Sequence, residues 1–452
     1  MTPDVLHRLV ITRAGTGRIL TVTAGERRRL PAVELAERHT AEVEDINTAA
    51  RGRWGLETVV LFGLEHRMTA EGTQRTHVLD AHSGPSSAAA SRDGGEGRIQ
   101  WLAADELGSL PADQEQLARR SLDILRTEAP DGCAWMRPGW WTGVRAWIEN
   151  RLGDAEIVQT RAWQSSCVAR VRARGGDYFL KALPLSATRE ARVTAHLSAC
   201  EAPGAPRVTA VDLENRWLLM EAFDGASLDD NRDPNDWRRG IATYGRLQAS
   251  TLGRAAELRA LGCVEQNLGD LARALPLLAD DTEALSWATE PEHALSALDI
   301  ASFRSLVPLL VRDCGKLAAT AFPLALDHGD FWPSNILVNR SDCAVIDWED
   351  ARLHHPFLGV APFVATLREW EIPLSLRDVA ADYLPPFTTA APMGDLENTF
   401  AAAVPLGLAE MAVRYWRMPS AVSDLHPWMR EMAPFFVRHL LGVSGPSHSR
   451  AT

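Results

Sequence analysis

Between Leu324 and Asp350 the chain reads LALDHGDFWPSNILVNRSDCAVIDWED, and no other stretch constrains the fold so tightly. Asp330 and Asn335 stand in D-x-x-x-x-N spacing, and Asp347 closes an apolar run twelve positions after Asn335. ILVN, the turn residues RSD and then CAVID read as a β-hairpin. Such a hairpin returns Asp347 beside a loop running from His328 to Asn335. The three side chains suit phosphoryl transfer. Asp330 can accept the proton of an attacking hydroxyl, while Asn335 and Asp347 offer hard oxygen ligands to a Mg²⁺ that bridges phosphates. Asp330 need not be a strong base, because positioning carries most of this chemistry. Singly, each residue has a plain structural use as turn, cap or strand end. The joint pattern is what points to chemistry.

A second feature is compositional. Only two lysines, Lys181 and Lys316, occur among 47 basic residues. In a chain that uses arginine almost everywhere, a retained lysine is a candidate for a compact ammonium placed on phosphates, a task a planar guanidinium performs differently.

The strand-like runs upstream give Lys181 a place. EIVQTRAW, CVARVRARG and DYFLKAL follow one another from about Ala155 across short polar turns, as in a meander. A helix over Ala187 to Ala199 and two further strands, Arg207 to Asp212 and Trp217 to Glu221, come next. After Gly225 the pattern is mainly helical, broken by the hairpin alone. A β-rich unit carrying a lysine on its third strand and a glutamate on the next helix should precede a kinase-like catalytic loop. Lys181 and Glu190 meet that demand. The segment LLMEAFDG then reads as a crossover, with backbone groups of Glu221, Ala222 and Phe223 as candidates for an adenine edge. By strand alternation Ala169 and Val171 are expected to cover the base.

These residues resemble the aminoglycoside phosphotransferase and choline kinase family, whose catalytic loop reads H-G-D-x-x-x-x-N and whose metal strand reads I-D-W/F-E. The resemblance covers about residues 155 to 440. It implies an α+β, bilobal protein-kinase-like fold with a β-rich N-lobe over 155–223 and a helical C-lobe over 224–445. It further implies that Asp330 is the catalytic base, that Asn335 and Asp347 bind Mg²⁺, that Lys181 contacts the α/β-phosphates and that Glu190 orients Lys181. IDWE in place of D-F-G, with no A-P-E downstream, points to a small-molecule kinase. Two departures stand out. The turn WQSSC lacks the glycines of G-x-G-x-x-G, so Gln164, Ser165 and Ser166 would have to cover the phosphates. Where family members often show G-D-P-x-x-D-L, this chain reads HHPFLGV, with Gly359 at the second acidic position.

The first 115 residues show strands (Arg8 to Thr12, Ile19 to Val22, Thr58 to Phe62, Thr76 to Leu79) and a helix-like stretch from Ala32 to Trp54. His82 to Gly97 is a flexible loop by composition. The order of elements resembles a Nudix domain, but the box is missing. Aligning Gly55-Leu56 to its end puts Thr48, Ala49, Gly52 and Arg53 where the box has R-E and E-E. Glu34 and Thr40 fall at the earlier Gly and Glu. Without that carboxylate cluster no Mg²⁺ would be held for pyrophosphate hydrolysis. Glu42, Glu44 and Asp45 read as a solvated helix face. A helical linker over 116–154, with the Trp-rich run WMRPGWWTGVRAWIENRLG, would pack one domain on the next.

The bulk numbers set the remaining bounds. A chain of 452 residues exceeds one compact core, so two or three globular units are expected. The net charge of -12 argues against nucleic acid as a partner, since phosphate neutralisation needs a basic face. No apolar run reaches the roughly 18 to 20 residues of a membrane span, and MTPDVLHRLVITRAG has neither the basic nor the apolar part of a signal, so a cytoplasmic location is expected. The six cysteines are scattered without C-x-x-C, which sets aside disulfide and structural-zinc frameworks. The expected activity is transfer of the γ-phosphoryl group of ATP or GTP to a hydroxyl of a small molecule, with aminoglycosides or other antibiotics among the candidate acceptors. Asp224, Asp229, Asp230, Glu349, Asp350, Glu369 and Glu371 would suit a polycation or form an exposed acidic face. A non-catalytic, nucleotide-binding pseudokinase is the alternative, and a Nudix hydrolase a distant third. Oligomeric state is not legible.

Overall fold

The first strands are Asp4–Thr12 (β1), Ile19–Ala24 (β2), Arg27–Arg29 (β3), Ala32–Ala36 (β4), Glu57–Thr69 (β5), Gly72–Ser83 (β6) and Ile99–Leu102 (β7), and in β1 and β2 β-branched and apolar residues supply the core face. In this computed structural model residues 4–24, 27–69, 72–83, 98–127, 132–320, 322–418 and 428–444 are described. The seven strands form one sheet in the order β3-β2-β1-β6-β5, with β4 added beside β1 and β7 beside β2. The β1–β6 pairing is parallel. Only Glu44–Trp54 (α1) of the expected 32–54 helix is helical. Ala32–Ala36 pairs antiparallel with β1, because Val33 alternates into the core. Most of the loop expected after His82 (84–97) lies outside the described residues, as do 128–131. His82 and Ser83 themselves end β6.

The helices Ala112–Arg126 (α2) and Trp140–Leu152 (α3) lead into a five-stranded antiparallel sheet: Ala155–Ala162 (β8), Cys167–Ala173 (β9), Gly176–Ala182 (β10), Val208–Asp212 (β11) and Trp217–Glu221 (β12). Its order is β11-β12-β10-β9-β8. Helix Thr188–Ala199 (α4) follows β10 in the chain.

Contacts divide the chain into two units, Met1–Ala191 with Arg207–Ala222, and Arg192–Pro206 with Phe223–Thr452. The two sheets thus share the first unit. Their junction is built, not loose. Val43 donates its amide to the Thr160 carbonyl and Ala162 donates to Ala41, which extends the edge strand β8. The buried Gln159 amide closes a pair of bonds with the Val60 backbone, each 2.8 Å, and its oxygen also accepts from Asn47. Every polar atom of that side chain is thereby satisfied inside the core. Trp141 and Trp147 pack in one apolar cluster with Val10 and Val78 of the first sheet and Leu180 and Trp217 of the second.

The second unit is mainly helical: Pro234–Ser250 (α5), Ala255–Ala260 (α6), Leu268–Asp280 (α7), Thr282–Ser286 (α8), Ala297–Ala318 (α9), Ala361–Glu369 (α10), Leu376–Tyr383 (α11), Met393–Trp416 (α12) and Trp428–Ser444 (α13). The hairpin Ile336–Val338 (β15) with Cys343–Val345 (β16) is joined by Ala226–Ser227 (β13). The expectation of a single hairpin is corrected by a second small pairing. Ala325–Asp327 (β14) runs antiparallel to Arg352–His354 (β17), in segments too short to show a period of two. Among the described residues, no helix is long and apolar enough to cross a membrane.

Three buried histidines carry a consequence for stability. Burial, helped by Arg75, lowers His7 to about 4. Burial, with His7 and Arg75 adding repulsion, lowers His77 to about 3. Burial and His354 lower His355 to about 3. Each stays neutral in the fold but protonates when unfolded below about pH 6.5. The unfolded state then binds more protons, so stability falls as pH falls from 6.5 toward these values, by about 1.4 kcal/mol per histidine per pH unit. Thermal midpoints taken between pH 7.5 and 5 should decline, and His7→Gln should flatten the slope.

Candidate active site

A loop between two short strands has no ladder to satisfy its backbone, so the polar groups from His328 to Asn335 must find partners one by one. They do. His328 donates its amide to the Tyr244 hydroxyl at 3.1 Å. Its imidazole Nε2 lies 2.8 Å from the Ile346 carbonyl, so that nitrogen carries the proton and Nδ1 is left to accept from the Asp330 amide. Gly329 passes its carbonyl to Arg414. The Asp330 carbonyl accepts from the Trp332 amide and from Asn335 Nδ2, the latter at 2.9 Å.

The hairpin registers the strand that leads to Asp347 against this loop. Ile346 donates its amide to the Asn335 carbonyl at 2.9 Å, one step beyond the Ile336–Val345 pair, which holds the segment leading to Asp347 against the end of the loop. Asp347 adopts a left-handed backbone, φ 69°, rare for a non-glycine residue and typical of sites whose surroundings enforce it. The enforcement is visible one residue on. Trp348 is fully buried, donates Nε1 to the Val345 carbonyl and packs its ring 4.6 Å from His328.

Asp330 is the one carboxylate of the loop still partly open, with 28% of its side chain exposed. Burial raises it to about 6; Arg414, whose Nη1 lies 3.8 Å away, works against that rise, while Asp350 and Asp347 add to it. Arg414 also binds Asp350. Sequence reasoning missed Arg414, which lies more than 80 residues downstream on a largely apolar helix and leaves no local signal.

In the first unit Lys181 and Glu190 come together. Lys181 Nζ stands 2.8 Å from both carboxylate oxygens of Glu190, and both residues are buried. Lys316, the other lysine, is exposed and pairs with Asp313. The strand register corrects the expectation for the base cover. Lys181 lies opposite Val168, and Leu180 opposite Ala169. Ala169 and Val171 therefore face the core away from Lys181, where both are fully buried. Val168 and Arg170 share the Lys181 face instead, because cross-strand partners point the same way.

Gln164, Ser165 and Ser166 form the β8–β9 turn, closed by the Trp163 amide on the Ser166 carbonyl. Cys133 Sγ reaches the Gln164 carbonyl and Trp135 Nε1 the Trp163 carbonyl. Glu221 and Ala222 have already given their amides to the carbonyls of Arg207 and Asp177, and the Phe223 carbonyl accepts from Gly225, so the carbonyls of Glu221 and Ala222 and the Phe223 amide are the groups to consider for a base edge. Of the acidic residues considered for a cationic substrate, Asp350 is held by Arg414 and Glu369 pairs with His439. Glu44 pairs with Arg170, and Glu42 and Asp45 with Arg38, so this helix face is ion-paired within the first unit.

Gly329 takes φ 77°, and a Cβ there would sit 2.3 Å from the Asp350 carbonyl oxygen. Gly329→Ala should lower the thermal midpoint by roughly 3 °C or more, through left-handed strain of about 1 to 2 kcal/mol plus displacement of Asp350. A melting curve unchanged from the parent would contradict this account of the loop.

A family model described as "Phosphotransferase enzyme family" matches residues 159–394, just over half of the chain. No curated protein sequence matches. Among solved structures, the chain is similar to a choline/ethanolamine kinase family protein from Mesorhizobium loti (16% identity, 68% of this chain and 95% of that one, TM-score 0.46). It is similar also to the Plasmodium vivax ethanolamine kinase (13%, 66% and 85%, TM-score 0.45). A third is a macrolide 2'-phosphotransferase from Brachybacterium faecium (17%, 67% and 98%, TM-score 0.39).

Proposed function

This chain belongs to the phosphotransferase enzyme family, and from that premise we propose that it transfers the γ-phosphoryl group of ATP or GTP to a hydroxyl of a small molecule. The observation that carries the reading is the Asp330 loop, in which the amides of His328 and Asp330 and the carbonyls of Gly329 and Asp330 are bonded and one partly exposed carboxylate is left beside the strand that leads to Asp347. A hydroxyl oxygen attacks the γ-phosphorus, the bond from that phosphorus to the β–γ bridging oxygen breaks, and the nucleoside diphosphate leaves with the electron pair. Asp330 takes the hydroxyl proton as the new P–O bond forms. Its raised pKa suits late transfer, while at neutral pH the carboxylate is still mostly ionised.

Asn335 and Asp347 would hold Mg²⁺. The Asn335 Nδ2 is spent on the Asp330 carbonyl, which leaves its oxygen as the metal-facing atom, and a carboxylate with an amide oxygen is the hard donor set Mg²⁺ prefers. When bound, the ion would neutralise charge on the phosphates. Lys181, presented by Glu190, would place a point charge on nucleotide phosphates. Gln164 to Ser166 would cover the phosphates, and backbone groups over 221–223 would meet the base. Choline-like alcohols and antibiotics, the substrates named for the neighbours, are the acceptor classes to try first.

Purified protein with Mg²⁺ should melt higher with ATP or GTP, as any ligand bound only to the folded state requires. It should also turn over at least one member of a library of amino alcohols, aminoglycosides and macrolides. Asp330→Asn should cut turnover by roughly 100-fold or more while the nucleotide-induced shift persists. A shift without turnover across the library would favour a nucleotide-binding regulatory protein. No shift with either nucleotide would count against the whole scheme.

A further inference from the structure

Behind the Asp330 loop lies a buried carboxylate that the reaction scheme does not use. Asp327, the last residue of β14, is fully buried. Its Oδ1 accepts from the Tyr244 hydroxyl at 2.9 Å and its Oδ2 from Arg352 Nε at 2.6 Å. Tyr244 is the link to the catalytic loop, since the same hydroxyl accepts the His328 amide, and its ring stacks on Phe331 with centroids 3.8 Å apart. Arg352 in turn donates to Glu410, which also meets His354. A buried charge is tolerable only with such partners, and this one has two.

The space around Asp327 is shared with Gly359. A Cβ built on Gly359 would lie 1.7 Å from Asp327 Oδ1 and 3.0 Å from the Tyr244 hydroxyl oxygen. Gly359 has an ordinary negative φ of -65°, so its backbone does not require glycine. What excludes a side chain there is the Asp327 carboxylate. Position 359 is also where the second acidic residue of a G-D-P-x-x-D-L pattern would fall.

We propose that Asp327 is the positioning carboxylate of the catalytic loop, occupying the space that a side chain at Gly359 would fill, and acting on the His328 amide through Tyr244. The carboxylate and the glycine are one exchangeable pair: the charge comes from the strand that leads into the loop, and position 359 has given up its side chain to admit it. Asp327 touches neither nucleotide nor acceptor. It fixes the Tyr244 hydroxyl as a donor to itself, which turns that oxygen's lone pairs toward His328. The catalytic part of this inference rests on the phosphotransfer reading.

Two arms test it separately. In a double-mutant cycle, Asp327→Gly and Gly359→Asp should each lower the thermal midpoint by roughly 5 °C or more, one by stripping Arg352 and Tyr244 of a partner, the other by collision of two carboxylates. The double variant should recover at least about half of the summed loss. Losses that simply add would overturn the exchange. For the second arm, Tyr244→Phe keeps the ring stack and removes the hydroxyl. It should lower kcat on the acceptor found for the unmodified protein by roughly tenfold or more, with the nucleotide Kd held within about twofold. An unchanged kcat would overturn the positioning role. If the unmodified protein turns over nothing, the phosphotransfer reading fails, while the stability cycle still decides where the carboxylate belongs.

Discussion

Satisfaction of buried backbone groups is the constraint from which the second unit follows. Between Asp327 and Ile336 the chain is neither helix nor ladder for most of its length, yet His328 is fully buried and its neighbours nearly so. An unmatched amide or carbonyl there would cost about as much as a whole hydrogen bond, with no water to offset it. The side chains recruited as partners (Tyr244 from α5, Arg414 from α12, the His328 ring itself and Asn335) are what bring those helices to the hairpin. The geometry of the candidate site and the stability of the fold therefore rest on the same set of bonds. The open carboxylate of Asp330 exists because everything around it has been closed.

That identity explains why the site was largely legible in the sequence. Asp330, Asn335 and Asp347 lie on one local segment, and a loop plus a hairpin of fixed register leaves little freedom in how they meet. Lys181 and Glu190 could be paired because a strand followed by a helix is likewise local, and because lysine is so scarce here. Arg414, Tyr244 and Arg352 could not be found in that way. Arg414 and Tyr244 reach the loop, and Arg352 reaches Asp327 behind it, from more than 20 positions away in the chain, from elements whose own periodicity reports only their apolar faces. Long-range polar partners leave no spacing signature, and their identity depends on packing that no local pattern encodes.

The failures of the sequence reading share a cause as well. Ala32 to Trp54 read as one helix because its apolar residues can be fitted to a helical face, but Val33 is paired across to His7 and only the part after Val43 is helical. Ala169 and Val171 were assigned to the right strand and the wrong side. Alternation tells which residues share a face and is silent about which face meets the core. Here the apolar set turns toward the tryptophans of α3, and Val168 and Arg170 are left on the side of Lys181.

The tryptophans also bear on the missing glycines of the β8–β9 turn. A glycine-rich loop gains its reach from conformational freedom, and that freedom is lost when the loop orders over phosphates. The turn Trp163 to Ser166 has been ordered in advance. Its first two carbonyls accept from Trp135 Nε1 and Cys133 Sγ, and the Trp163 ring stacks on His39 at 4.9 Å, nearly parallel. Those partners belong to the segment before α3 and to the chain between β4 and α1. The first sheet and its appendages thus fix this turn at the outset, so less entropy would remain to be lost if it closed over phosphates. On that view the extra residues ahead of β8 are part of the scaffold that shapes the second sheet, which agrees with their sharing a single apolar cluster and the fully bonded Gln159 at the junction.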